Sequence, residues 1–482
     1  MTWGGGVLAL AVAVLLFTRF GIDGNLSRDE AIYSYGGQQL ADGVPVYLGI
    51  FDPKPPLPTF LTALGVLAGR ALGADELHAM RVEFLLFALL TVAAIYVLGL
   101  WLWRSPLAAL VGAVTFASFQ GFAVDALGGP DAKTPGVLLS VVALALLVRR
   151  RWFWGAFAGS LAFLDWQPLG IYVLAAVVAA LLVTGADEAR WRRGARAAAG
   201  AAIPVAATVL YLAIAGGLLQ FAQASFKFPA TGLERTPETF GYRLQHIADV
   251  VGESYGDTRI LFWGGLVLLA GVLGWRLRSD RVPAALVLGT LLGFVALTLS
   301  DFQGYPDPYP LLPYAALGIG GAVAVLERRR FVPVVALAAT AVLVALSVHW
   351  YSVEPGKVPP LALERSYAAR IKQFFRPGDR LYALGDPTLL VLTGMRNPTR
   401  YIYLGSGVDE WAISHRFKSL AGWQREIQSV DPPLIVMNTW KSPLALQMRS
   451  WLKRTYGPVT TVGTWRLWVK PALRARAARA GI

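Results

Sequence analysis

Long apolar runs separated by short arginine clusters recur from the N-terminus to about residue 350, and this alternation constrains the fold more than any other feature. A helix that crosses a bilayer needs about 20 mostly apolar residues to span roughly 30 Å of hydrocarbon. Eleven segments meet or approach that requirement: 4–20, 82–103, 106–124, 134–148, 152–164, 169–184, 197–216, 259–275, 282–299, 309–326 and 331–350. Composition agrees. Charged residues make up 15% of the 482-residue chain, against roughly 25% in soluble globular proteins. Hydrophobic residues make up 55%, and the mean hydropathy is +0.52. A soluble fold this apolar could not cover its own surface, which excludes disordered, fibrous and cytosolic classes. The chain reads as a polytopic α-helical membrane protein with about 11 transmembrane helices.

The arginines test that reading independently. With a cytoplasmic N-terminus, strict alternation places Arg104, Arg149–Arg151, the cluster Arg190–Arg196, Arg276–Arg281 and Arg328–Arg330 on one side, as the positive-inside tendency requires. The net charge of +14 therefore belongs to membrane topology, and no nucleic-acid partner is implied. The opposite, extracytoplasmic side receives the long connections: a large first loop at 21–81, a loop at 217–258, and the C-terminal segment. The apolar stretch Pro56–Leu72 would reverse the alternation if counted as a span, so it is expected to lie along the membrane surface or dip into it.

From about residue 351 the pattern becomes that of a soluble domain. An amphipathic helix at 363–375, strands at 380–384 and 434–437, helices at 387–392 and 444–456, and one or two closing strands in 460–469 predict a small α/β domain. The expected division is thus a membrane domain, 1–350, and an extracytoplasmic α/β domain, 351–482, with a flexible tail from Lys470. The chain has no cysteine, so disulfides and thiol chemistry are excluded.

The candidate chemistry lies in the first loop. Ser27-Arg28-Asp29-Glu30 opens a helix that Gly43 ends, and Asp52-Pro53-Lys54-Pro55-Pro56-Leu57 follows. Two readings of Glu30 stand side by side: the partner of Ser27 in a capping box, or a site residue. Asp29 sits in the first turn, where the helix dipole favours a carboxylate, beside Arg28 and one turn before Tyr33. It either compensates the helix terminus or takes a proton from an incoming hydroxyl. Lys54 is either a snorkelling interfacial lysine or a phosphate ligand.

The acidic pair Asp29-Glu30, the later Leu40-x-x-Gly43 and Lys54-Pro55-Pro56-Leu57 resemble the first luminal loop of GT-C glycosyltransferases, in the branch of protein mannosyltransferases and aminoarabinose transferases of lipid A. Asp131 before a span and the proline-rich run from Tyr305 to Pro313 fall in the same order. The resemblance covers residues 1–350. It implies a GT-C-like membrane glycosyltransferase that moves a sugar, with inversion, from a polyprenyl-phosphate donor to an extracytoplasmic acceptor hydroxyl on a protein, lipid or glycan. By the same resemblance Asp29 and Asp131 are the catalytic carboxylates and Lys54 holds the donor phosphate.

Arg28, Glu30, Tyr33, Asp165 and Lys227 are further candidate substrate-binding residues, with Arg235 and Arg243 as phosphate contacts and Trp166, Tyr305 and Tyr309 as stacking surfaces. Relatives often carry an acidic or histidine ligand where this chain has Pro53, next to Asp52, and a lysine near Asp165-Trp166-Gln167. A divalent metal is compatible with this loop but not specified by it, and no cofactor is assigned. His78, His246, His349 and His415 have no ligand spacing. The alternative function is a transporter or flippase for a lipid-linked or small polar solute. It would place ionisable residues near the midplane, whereas here they gather in loops. The alanine-, glycine- and arginine-rich composition points to a bacterial plasma membrane, with the site and the C-terminal domain outside.

Overall fold

The structure is a computed structural model that describes residues 2–183, 189–233, 239–278, 280–300, 302, 304, 306–353 and 360–482. The described parts of the expected spans are largely helical, with a break at Ser118–Phe119 inside 106–124. Among the described residues seven helices are long and apolar enough to cross a membrane: Trp3–Phe20, Glu76–Trp103, Arg190–Ile214, Phe240–Arg276, Arg281–Ser300, Tyr309–Leu326 and Val332–Trp350. The other four expected spans lie on shorter helices, among them Pro106–Ala117, Lys133–Val148 and Trp152–Asp165, of 12, 16 and 14 residues. At about 1.5 Å per residue these reach roughly 18–24 Å, short of the hydrocarbon thickness. The stretch 240–255, expected within a loop, is instead the helix Phe240–Tyr255. The chain is a multi-pass membrane protein.

Two compact units emerge, and the cut differs from the one expected near residue 350. The helical unit comprises Met1–Ile22, Arg81–Leu210 and Glu238–Lys357. At its centre lies Tyr309–Leu326, buried along 67% of its apolar window, whereas Val332–Trp350 is buried along only 6% and presents valine and leucine outward. Glycines set the closest approaches. A Cβ on Gly318 would collide with the backbone carbonyl of Gly265 on the helix Arg259–Arg276. Small residues let helix backbones touch in this way where no hydrophobic drive separates protein from lipid.

The sheet-bearing unit comprises Asp23–Met80, Tyr211–Pro237 and Val358–Ile482. Its sheet runs β1 (Leu381–Leu384), β2 (Leu434–Met437), β4 (Trp465–Val469), β3 (Thr460–Val462), with β1 and β2 parallel and the other pairs antiparallel. The parallel strands β1 and β2 are buried on both faces. Tyr382, Leu384, Ile435, Met437 and Trp468 point into a core with Trp423, Trp440 and the loop residues Tyr47 and Phe51. Leu381, Ala383, Leu434 and Val436 point into a second core that includes Leu26, Ala31, Ile32 and Met80. The side-chain period of two in a strand divides the faces, and apolar residues of the first loop cover them. This is why 23–80 and 211–237 fold with the C-terminal segment. The tail expected to be flexible forms the helix Arg474–Arg479, anchored by Arg476 to Asp379 at 3.0 Å and over the Phe374 ring.

Gly318→Ala is expected to lower thermal stability of the detergent-purified protein by about 1–3 kcal/mol through overpacking. Gly264→Ala, where nothing lies within 4 Å, is expected to leave it unchanged. Equal unfolding midpoints for both variants would refute the close-approach account.

Candidate active site

Ser27 opens the helix Arg28–Ala41 with a complete capping box: its hydroxyl accepts the Glu30 N–H at 3.2 Å, and Glu30 Oε2 accepts the Ser27 N–H at 3.2 Å. Of the two readings of Glu30, the cap is the one the geometry displays, with the residue 3% exposed. Asp29, on the same first turn, is half-exposed, with Oδ1 3.5 Å from Arg28 Nε. Arg28 lies over the Tyr403 ring, 5.0 Å from its centroid. One turn further along the helix, the Tyr33 ring receives Lys54 Nζ at 5.3 Å, a cation–π contact. Arg28, Asp29, Tyr33 and Lys54 are therefore brought together in the sheet-bearing unit.

Lys54 is held by its backbone. Its N–H donates to Asp52 Oδ1 at 3.0 Å, and its carbonyl accepts from the Tyr47 hydroxyl at 2.8 Å and from Ser225 Oγ at 3.2 Å. Burial pushes the Tyr47 phenol well above its ordinary pKa, so it stays protonated and keeps donating. The Phe51 N–H donates to the Arg400 carbonyl at 2.8 Å. The Arg400 guanidinium donates to the Tyr47 carbonyl and to Gln223 Oε1, both at 3.3 Å. Tyr47, Ile50, Asp52 and Thr59, all buried, pack around Lys54.

In the helical unit Asp131 accepts from the N–H groups of Lys133 and Thr134 and from the Thr134 hydroxyl, capping the helix Lys133–Val148. Burial raises its carboxyl above the usual range, outweighing those three hydrogen bonds and the nearby Lys133 charge. Lys133 Nζ lies 3.3 Å from Asp307 Oδ1, with the two side chains 9% and 10% exposed, and 5.2 Å from the Trp166 ring centroid. Asp165 is fully buried, and its carboxylate packs where a side chain on Gly136 would stand.

The remaining candidates scatter. Lys227 is exposed. Arg243 donates to the carbonyls of Leu299 and Ser300 at 3.0 and 2.8 Å, closing a helix end. Tyr309 is buried, its hydroxyl 2.8 Å from Asp125 Oδ2. Arg235 and Tyr305 lie outside the described residues. Among the described residues no group of three or more His, Cys, Asp or Glu side chains could hold a metal ion. Sequence reasoning missed Lys133, Asp307, Tyr47 and Arg400. Lys133 could have been found two residues after Asp131, but nothing local signals Arg400.

ArnT from Cupriavidus metallidurans in the apo state superposes with a TM-score of 0.66, covering 97% of this chain and 98% of that one at 16% identity. The chain has the fold of ArnT. The GT-C fold expected from the first loop is thus the fold observed. ArnT bound to undecaprenyl phosphate gives 0.65 over the same extents at 17% identity. The archaeal oligosaccharyltransferase AglB from Archaeoglobus fulgidus, in complex with an inhibitory peptide and a dolichol-phosphate, gives 0.56 at 12% identity, covering 91% of this chain and 69% of that one. No family model matches the sequence, and no curated protein matches it.

Removing Asp307 would take away the carboxylate 3.3 Å from the buried Lys133 ammonium. Asp307→Ala is expected to cost about 3–5 kcal/mol, whereas the double variant Lys133→Met/Asp307→Leu recovers most of it. Thermal unfolding of the three proteins checks this, and an unchanged midpoint for Asp307→Ala would sink it.

Proposed function

We propose that the protein is an inverting membrane glycosyltransferase that takes a glycosyl group from a polyprenyl-phosphate sugar and passes it to an acceptor hydroxyl outside the cytoplasm of a bacterial cell. The observation that carries this reading is the meeting of Lys54 with the first turns of the helix that bears Asp29. Two solved proteins of the same fold hold an isoprenoid phosphate, undecaprenyl phosphate in one and dolichol-phosphate in the other, and that ligand class suits this pair of charges. The arginine clusters support a cytoplasmic N-terminus and eleven crossings, with the four short helices completing the count.

The chemistry follows from the charges. The Asp29 carboxylate takes the proton of the acceptor hydroxyl as its oxygen attacks the anomeric carbon from the face opposite the phosphate. The bond between the anomeric carbon and the phosphate oxygen breaks, and its electron pair leaves with the polyprenyl phosphate. The anomeric configuration inverts. Lys54 lies where negative charge grows on the leaving phosphate, and a fixed ammonium in a partly dehydrated site stabilises that growth. One carboxylate suffices, because a phosphate departs without a general acid. Asp131 is the second acidic residue that the resemblance assigns, and its raised pKa suits a group that can hold a proton. Charges near Lys133 and Asp307 sit at helix ends rather than mid-span, which suits a transferase better than a transporter.

In proteoliposomes supplied with a labelled polyprenyl-phosphate sugar, Asp29→Asn is expected to reduce transfer by at least about 100-fold, the scale of a lost general base, with lipid-phosphate binding retained. Lys54→Gln is expected to weaken lipid-phosphate binding and slow transfer together. Undiminished transfer by folded Asp29→Asn protein would overturn the assignment.

A further inference from the structure

The outgoing end of the sheet carries a row of polar groups that the reaction above does not use. Gly385, just past β1, donates its N–H to the Ile402 carbonyl at 2.7 Å and pairs with Tyr403 in a parallel bridge. On its other side the Asn438 N–H, just past β2, donates to the Leu384 carbonyl at 3.0 Å. Tyr403, Gly385 and Asn438 therefore stand side by side across the carboxyl ends of the two parallel strands. In open α/β sheets this end is where ligands settle, because loops diverge there and leave a crevice.

The backbone at this edge is held in costly conformations. Thr439 has φ +53° and Ser406 has φ +51°, both side chains being exposed. The other left-handed non-glycine residues described are unbranched at Cβ; Thr439 is the one β-branched case, where the left-handed region is least tolerated. Gly385 has φ +118°, and a Cβ there would strike the Asn438 carbonyl. Such conformations persist where surrounding structure enforces them, and they concentrate at ligand sites.

The groups displayed are those that read hydroxyls. Asp386 is buried, with Oδ1 accepting the Thr388 N–H at 3.0 Å and Oδ2 accepting the Thr439 hydroxyl at 3.2 Å, which leaves the Thr439 oxygen as an outward acceptor. Asn438 Oδ1 accepts the Thr439 N–H at 2.9 Å, and its amide NH2, which has no protein partner among the described residues, sits at the half-exposed edge. Tyr403, whose ring is covered by Arg28, adds its hydroxyl, which with Ser406 Oγ 3.4 Å away makes a pair. Arg28 spans from the Tyr403 ring to the Asp29 carboxylate, joining this edge to the proposed base.

We propose that this edge, formed by Tyr403, Ser406, Asn438 and Thr439, is the acceptor subsite and that the acceptor is a carbohydrate. Uncharged donors and acceptors set close together at one edge match a polyhydroxylated ring better than an extended peptide. This rests on the transferase reading and names its acceptor class.

The full-length protein in nanodiscs is titrated with three probes: undecaprenyl phosphate, a panel of methyl glycosides followed by saturation-transfer NMR, and a serine- and threonine-containing peptide. Wild-type protein is expected to bind undecaprenyl phosphate and at least one glycoside. Thr439→Gly, which suits the left-handed backbone, and Asn438→Ala are expected to weaken the glycoside at least fivefold and to change undecaprenyl phosphate binding by less than twofold. Glycoside binding unchanged in folded Thr439→Gly and Asn438→Ala overturns the subsite. Undecaprenyl phosphate binding without any glycoside binding also overturns it, as does selective binding of the peptide. No undecaprenyl phosphate binding by the wild type overturns the donor reading and this one with it.

Discussion

Tyr47 and Ser225 both donate to the carbonyl of Lys54, and the proposed chemistry depends on that clamp. A lysine on a solvated loop would spread its ammonium over many rotamers and lose entropy on meeting a phosphate. Here the prolines at 53, 55 and 56 fix their own φ, and the clamp fixes the one residue between them. The ammonium is thereby delivered over the Tyr33 ring, on the helix whose first turn bears Asp29. Because Tyr47 is buried, its hydroxyl has no competing water, and the interaction is correspondingly directional.

The C-terminal segment takes part in this arrangement. Arg400 grips the clamp from beyond β1, donating to the Tyr47 carbonyl while its own carbonyl receives the Phe51 N–H. Tyr403, a few residues on, meets Arg28. The sheet thus supports the first loop mechanically and presents its outgoing edge beside Arg28 and Asp29. This joint folding explains why the loop and the C-terminal segment form one unit: apolar residues of the loop complete both sheet cores.

The helical unit is organised by different forces. Its helices approach through glycine where backbone must touch backbone, as at Gly265 and Gly318. Its buried charges have partners: Lys133 meets Asp307, and Arg193 donates to the carbonyls of Ala180 and Val183, because an isolated charge out of water is costly.

What the sequence determined on its own was whatever short-range chemistry and one-dimensional pattern encode. Apolar run length placed the helices, arginine spacing suggested the sidedness, Ser27 with Glu30 announced a cap that formed as read, and the period-two strands at 381–384 and 434–437 appeared where expected. Asp29 and Lys54 stood out as candidates because they sit in one loop with a distinctive order. The tertiary structure alone decided the rest. Lys133 and Asp307 are 174 residues apart, and Arg400 reaches Tyr47 across more than 350 positions. The division into units also escaped the sequence, because which apolar loop residues cover which sheet face depends on chain return and packing. Neither has a local signature: burial and long-range pairing are properties of the folded whole.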